Sequence, residues 1–103
     1  MDMRMTTPRL LVLRALLADP AQERYGLELA GAAGLEPGTI YPILVAFETA
    51  GWLSSREEDV DVHAAGRPRR RYYRLTAAGE TAARTALDSA SARRRTANPR
   101  PAW

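Results

Sequence analysis

The chain has 103 residues, is 46% apolar and contains no cysteine, so it is sized for one small domain with a modest core that a partner subunit would help to complete, and disulfides are excluded. All 15 Lys/Arg positions are arginine and the formal net charge is only +3, so the placement of charge matters more than its total. No apolar run approaches the ~18 residues that span a bilayer and no signal-peptide layout is present, which makes the cytoplasm the expected location.

Met1 to Thr6 alternates methionine with polar residues and is expected to be a frayed arm whose methionines can pack on a neighbour. Thr7 and Pro8 supply a cap and a first helical position, and Leu10, Leu13, Leu16 and Leu17 give the first helix its apolar face until Asp19-Pro20 ends it. A second, shorter helix is predicted over Tyr25 to Ala32, with Leu27, Leu29 and Ala30 inward and Gly34 closing it. Pro37 opens a third helix, in which Ile40, Ile43, Leu44 and Phe47 form the inward stripe and Gly51 is the stop. Gly38, Thr39, Tyr41, Pro42, Val45 and Ala46 are left on its other side or edges, a surface of hydroxyls and methyls without charge. Two short helices joined by a tight, Gly-containing turn make a helix-turn-helix, whose second helix is the one offered to DNA.

Trp52 to Glu57 and Arg70 to Leu75 are expected to be extended and to pair as a hairpin. The long loop between them divides by charge, with Glu57, Glu58, Asp59 and Asp61 outbound and Gly66, Arg67, Pro68 and Arg69 returning. Thr76 caps a last helix running to about Arg95, with Ala78, Ala82, Ala83, Ala86, Leu87 and Ala90 inward, and residues 96–103 form a disordered tail. The predicted fold is α+β, mostly α: a winged helix-turn-helix of three helices plus a β-hairpin wing over residues 1–75, followed by a C-terminal helix over 76–95.

Gly66-Arg67-Pro68-Arg69, continued by Arg70 and Arg71, resembles the core of AT-hook peptides, in which an extended Gly-Arg-Pro segment lies in the minor groove. Narrow minor grooves concentrate negative potential and accept a guanidinium; the bland alternative is a solvated basic loop. The acidic limb is expected to point away from DNA or to pair with neighbouring arginines. Asp59, Asp61 and His63 alternate and would share one side of a strand, but a single His without Cys favours a solvated loop over a metal site. Tyr41 has two readings, a phenol reaching a phosphate or base edge, or a ring half-buried against the first helix. Pro42 lies inside its helix and should bend it, and Trp52 is assigned to the core. No catalytic constellation is present, because the chain has one His, no Cys and no paired acids on an ordered element. No cofactor is expected.

Taken together, Gly38-Thr39-Ile40-Tyr41-Pro42-Ile43-Leu44, Phe47-Glu48, Gly51-Trp52-Leu53, Gly66-Arg67-Pro68-Arg69, Tyr72-Tyr73-Arg74-Leu75-Thr76 and Gly79 resemble the signature of PadR-type transcriptional regulators, in the right order and spacing. The resemblance runs from the first helix through about Leu87. It implies a DNA-binding repressor acting as a homodimer on an inverted repeat near a promoter. The helix carrying Gly38, Thr39, Tyr41 and Pro42 would enter the major groove, while the wing carrying Arg67, Arg69, Arg70 and Arg71 approaches backbone or minor groove. It further implies dimerisation through the last helix, here Ala83, Leu87 and Ala90, and a small aromatic effector near the dimer interface. Members often place Ser before the helix proline, where this chain has Glu36, a weaker cap. The residues by themselves also suit a second function class, a winged-helix module that binds another protein through Phe47, Trp52 and the alanine-rich helix.

Overall fold

The computed structural model describes residues 3–97; Met1, Asp2 and positions 98–103, with most of the predicted tail and Trp103, lie outside the described residues. The elements run α1 (Thr7–Leu17), β1 (Arg24–Tyr25), α2 (Gly26–Ala33), α3 (Pro37–Thr49), β2 (Leu53–Glu57), α4 (Val62–Ala65), β3 (Arg71–Leu75) and α5 (Ala77–Ala97). This is the α+β, mostly helical, winged helix-turn-helix expected from the sequence.

The cap of α1 is Thr6 rather than Thr7: its hydroxyl accepts from the Arg9 N–H at 3.4 Å, and Thr7 is already helical. Val12, Leu13, Ala15 and Leu16 are buried, whereas Leu10 and Leu17 lie at the margin. The preceding arm is not free, because Met3 and Met5 pack half-buried against the chain's own core. Flexible thioethers fill such irregular margins well.

Two helix stops of the same design set the helix-turn-helix. At the end of α2, Gly34 adopts φ 70°, its N–H donates to the Gly31 carbonyl, and the Leu35 N–H reaches back to Ala30 at 2.8 Å. At the end of α3, Gly51 adopts φ 81°, its N–H donates to Glu48, and Trp52 N–H donates to Phe47 at 2.9 Å. Both are Schellman stops, which need a left-handed residue that glycine supplies without a side-chain clash. The second also brings Trp52 against Phe47, rings 5.4 Å apart, which is the apolar contact that accompanies this motif. Between the two helices the axis turns by 111°, within the range of helix-turn-helix units.

Leu27 corrects one expectation. It is 55% exposed, and α2 instead buries Gly26, Leu29, Ala30 and Ala33. The sheet is antiparallel in the order β1-β3-β2. Leu53 pairs with Leu75 and Ser55 with Tyr73 in the hairpin, and the two-residue β1, absent from the sequence expectation, sets Tyr25 opposite Tyr72. The wing loop also contains an unforeseen helical turn, α4, capped by the Asp61 carboxylate on the His63 N–H at 2.9 Å and closed by Gly66 in the left-handed region. Gly66 therefore does not begin an extended hook.

The core joins Val12, Leu13 and Leu16 from α1, Leu29 from α2, Ile40, Leu44 and Phe47 from α3, Leu53, Tyr73 and Leu75 from the sheet, and Ala83 from α5. Each fully buried large side chain contributes about 1.5–3 kcal/mol. Along α5 the inward stripe is Gly79, Ala83 and Ala90, and Ala78, expected inside, is exposed. Thr76 joins three elements: its hydroxyl donates to the Gly51 carbonyl at 2.7 Å and accepts from the Gly79 N–H at 3.0 Å, while its own N–H donates to Trp52. Among the described residues no single helix is long and apolar enough to cross a membrane.

Candidate nucleic-acid interface

Because Ile40, Ile43, Leu44 and Phe47 are buried, the opposite side of α3 must face solvent, and Pro37, Gly38, Thr39, Tyr41, Pro42 and Val45 all do. Glu36 sits at the N-cap without a side-chain capping bond. Its carbonyl accepts from Thr39 and Ile40, and Pro37 has no N–H, so the Gly38 N–H is the one first-turn donor without a cap. Pro42 supplies no N–H to the Gly38 carbonyl four residues back.

Gly38 has no structural reason to be glycine. Its φ is not positive, and a Cβ placed there would meet nothing within 4 Å. A helical glycine costs up to about 1 kcal/mol relative to alanine, the full value applying in a helix interior, so even at the second position of α3 the residue weakens the helix with no return inside the chain. What it does provide is a bare stretch of backbone on the exposed face, beside Thr39, Tyr41 and Pro42.

Tyr41 is 44% exposed, and its ring lies against Gly26 of α2: a Cβ on Gly26 would sit 2.6 Å from Tyr41 Cε1. The missing side chain at Gly26 therefore makes the seat that holds the phenol on the α3 face.

The wing is built around a carboxylate that sequence inspection overlooked as an organiser. Glu58 accepts from both terminal nitrogens of Arg67, at 2.6 and 3.1 Å, from the Arg70 N–H at 3.3 Å and from the Tyr72 hydroxyl at 3.2 Å. The Arg67 guanidinium, aided by the Arg70 N–H, holds the Glu58 carboxyl at about 2, well below the usual carboxylate range. Arg69 is more loosely tied, 3.8 Å from Glu57 and donating to the Val60 carbonyl at 3.0 Å. The acidic limb thus pairs with the returning arginines. Arg70 lies over the Tyr25 ring at 4.2 Å, Tyr25 meets Tyr72 edge-on at 5.9 Å, and Arg56 covers Tyr72 at 5.1 Å while bonded to Glu23. Arg71 lies at the end of the wing groove nearest the hairpin strands. It donates to Ser55 Oγ at 3.1 Å, and Ser55 in turn bonds Glu48 of α3 at 2.5 Å.

Between wing and helices lies a groove of ≈ 650 Å³, bounded by Tyr25, Leu27 and Tyr41 on one side and Arg67 to Arg71 on the other. The structure therefore gathers Tyr41 with Arg67, Arg69, Arg70 and Arg71 around one concavity. Gly38, Thr39 and Pro42 stand on the same helix as Tyr41 but do not line that groove. Tyr25, Leu27 and Glu58 join the site unannounced, since a two-residue strand and an outward leucine carry no periodic signal; the acidic run that includes Glu58 was the only visible hint. Of the three residues assigned to the dimer seam, Ala83 and Ala90 are buried within one chain and Leu87 retains exposed surface.

The model of the transcriptional regulator PadR-like family matches residues 12–85. Solved structures share the fold. The protein smu.1704 from Streptococcus mutans UA159 is 29% identical, with TM-score 0.67 over 91% of this chain and 89% of its own. A PadR family transcription regulator from Clostridium difficile R20291 is 22% identical, with TM-score 0.70 over 88% of this chain and 94% of its own. The transcriptional regulator PcaV from Streptomyces coelicolor, solved with its natural ligand, is 23% identical, with TM-score 0.71 over 89% of this chain but 60% of its own. No match is found among curated proteins.

Proposed function

Since the chain belongs to the PadR-like family of transcriptional regulators, we propose that it is a dimeric repressor, working in the cytoplasm, that binds double-stranded DNA at an inverted repeat near a promoter. The observation that carries this reading is Gly38, a glycine that destabilises its helix and meets nothing in its own chain, at the head of an uncharged exposed face. Its bareness serves a close approach from outside. The α3 face carrying Gly38, Thr39, Tyr41 and Pro42 enters the major groove, and the wing arginines Arg67, Arg69, Arg70 and Arg71 meet the flanking backbone or minor groove. The winged-helix part is residues 1–75, and the last helix, with Leu87 half-buried and Ala83 and Ala90 packed within the chain, supplies the dimer contact.

A small aromatic effector fits the same picture. PcaV, of the same fold, is solved with a natural ligand, and the groove between Tyr25, Leu27, Tyr41 and the arginines offers aromatic walls and positive charge. The test of the main reading is a footprint of the protein on the DNA upstream of its own gene at two salt concentrations. Two protected half-sites about one helical turn apart that survive the higher salt support it. Diffuse protection lost with salt favours the protein-binding module instead.

A further inference from the structure

We propose that the operator is recognised at thymine, through methyl contacts made by α3 in which Val45 sets the specificity, and not through hydrogen bonds to guanine. This deepens the DNA-binding reading above and rests on it. From Pro37 to Thr49 the helix contains no Arg, Lys, Asn or Gln. Those are the side chains that pair bidentately with guanine or adenine in the major groove. Between its exposed first residues, Pro37 and Gly38, and its exposed last ones, Glu48 and Thr49, α3 presents the Thr39 side chain with its methyl, the Tyr41 ring, the Pro42 ring and Val45.

Val45 is 61% exposed, the most open of the large hydrophobic residues described. It stands one turn beyond Tyr41 and Pro42 and two beyond Gly38, on a stripe opposite to Ile40, Leu44 and Phe47. Seven helical residues cover about 10 Å, close to the ~12 Å width of the major groove. An isolated exposed valine is unremarkable on a protein surface, but this one ends an uncharged strip bounded by Glu36 and Glu48. Glu48, at the far end, is drawn toward the wing by Ser55, itself bonded by Arg71. Among the bases, thymine alone presents a methyl group in the major groove, so the chemistry of the strip selects it.

The experiment uses the full chain and a duplex library with a randomised core. Enriched duplexes are remade with deoxyuridine replacing thymidine one position at a time, which removes only the 5-methyl group. The expected result is one thymine per half-site whose methyl is worth about fourfold in affinity, the value of burying one further carbon. Val45→Ala changes both protomers of the dimer, so it should lose about fourfold per half-site, about sixteenfold in all, on the thymine duplex, and be indifferent to deoxyuridine at that position, with its melting temperature kept because Val45 is 61% exposed. Sequence-specific binding that ignores every methyl, or a Val45→Ala variant that still senses it, overturns the thymine assignment and leaves DNA binding standing. Failure to enrich any sequence overturns both.

Discussion

Gly79→Ala tests whether the last helix is docked as tightly as the structure shows. A Cβ on Gly79 would lie 1.9 Å from the Trp52 carbonyl oxygen and 2.7 Å from its carbon, all of it backbone. Ordinary contact begins near 3.4 Å, so about 1.5 Å of separation is missing. Neither partner can yield cheaply, since Trp52 O is already bonded to the Thr76 N–H at 3.0 Å and Gly51 O to the Thr76 hydroxyl at 2.7 Å. Overpacking costs roughly 1–3 kcal/mol, and loosening these bonds adds about 0.5–1.5 kcal/mol each. The higher helix propensity of alanine offsets about 1 kcal/mol. The net is a destabilisation of about 1–5 kcal/mol, centred near 3 kcal/mol, or a melting temperature lower by about 12–24 °C at that centre for a domain of this size. Gly31→Ala is the matched control: a Cβ there meets nothing within 4 Å, so the same substitution should stabilise α2 by about 0.5–1 kcal/mol. Thermal unfolding followed by far-ultraviolet circular dichroism reads both. A Gly79→Ala protein melting at or above the parent would refute the docking argument, as would a Gly31→Ala protein that falls equally far.

Gly38→Ala should raise the melting temperature by a few degrees, from about 0.5–1 kcal/mol of helix propensity, while weakening operator binding in a gel-shift titration; unchanged affinity would remove glycine's bareness from the recognition surface. Gly26→Ala displaces the ring of Tyr41, the far end of a side chain, more readily than backbone. It should therefore fold with near-parental stability yet lose affinity about as much as Tyr41→Ala does. Arg69→Ala should reduce the log–log salt slope of a dimer by about 2, and Arg67→Ala by less, since Arg67 is held bidentately by Glu58; an unchanged slope in the double variant would take the wing off the DNA. Glu58 has its folded pKa lowered from 4.5 to about 2, so its contribution to stability is full above about 4.5 and is lost as pH falls toward 2. The stability gap between the parent and Glu58→Gln should accordingly be present at neutral pH and close across that window, as urea unfolding at a series of pH values would show.

The parts of this protein legible in its sequence are those fixed by neighbours along the chain. Pro37 opening α3, Gly34 and Gly51 stopping α2 and α3, and the three- and four-residue spacing of Ile40, Ile43, Leu44 and Phe47 are local signals, and they suffice for the helix-turn-helix and for which side of α3 is bare. The hairpin followed from two extended runs and the charge-divided loop between them. Tertiary structure alone decided which small residues are contacts and which are surface. Gly79 is indispensable because the chain returns to within 1.9 Å of its missing side chain, Gly26 seats Tyr41, and Gly38 touches nothing; in sequence all three are simply glycines. The same holds for charge: Glu58 and Arg67, nine positions apart, meet only because the α4 turn folds the wing loop back on itself. Leu27 faces outward because α2 packs through Gly26, Leu29, Ala30 and Ala33. Local propensity and period select an element and its apolar face, but contact between distant residues depends on crossing angle and register, which belong to the assembled fold.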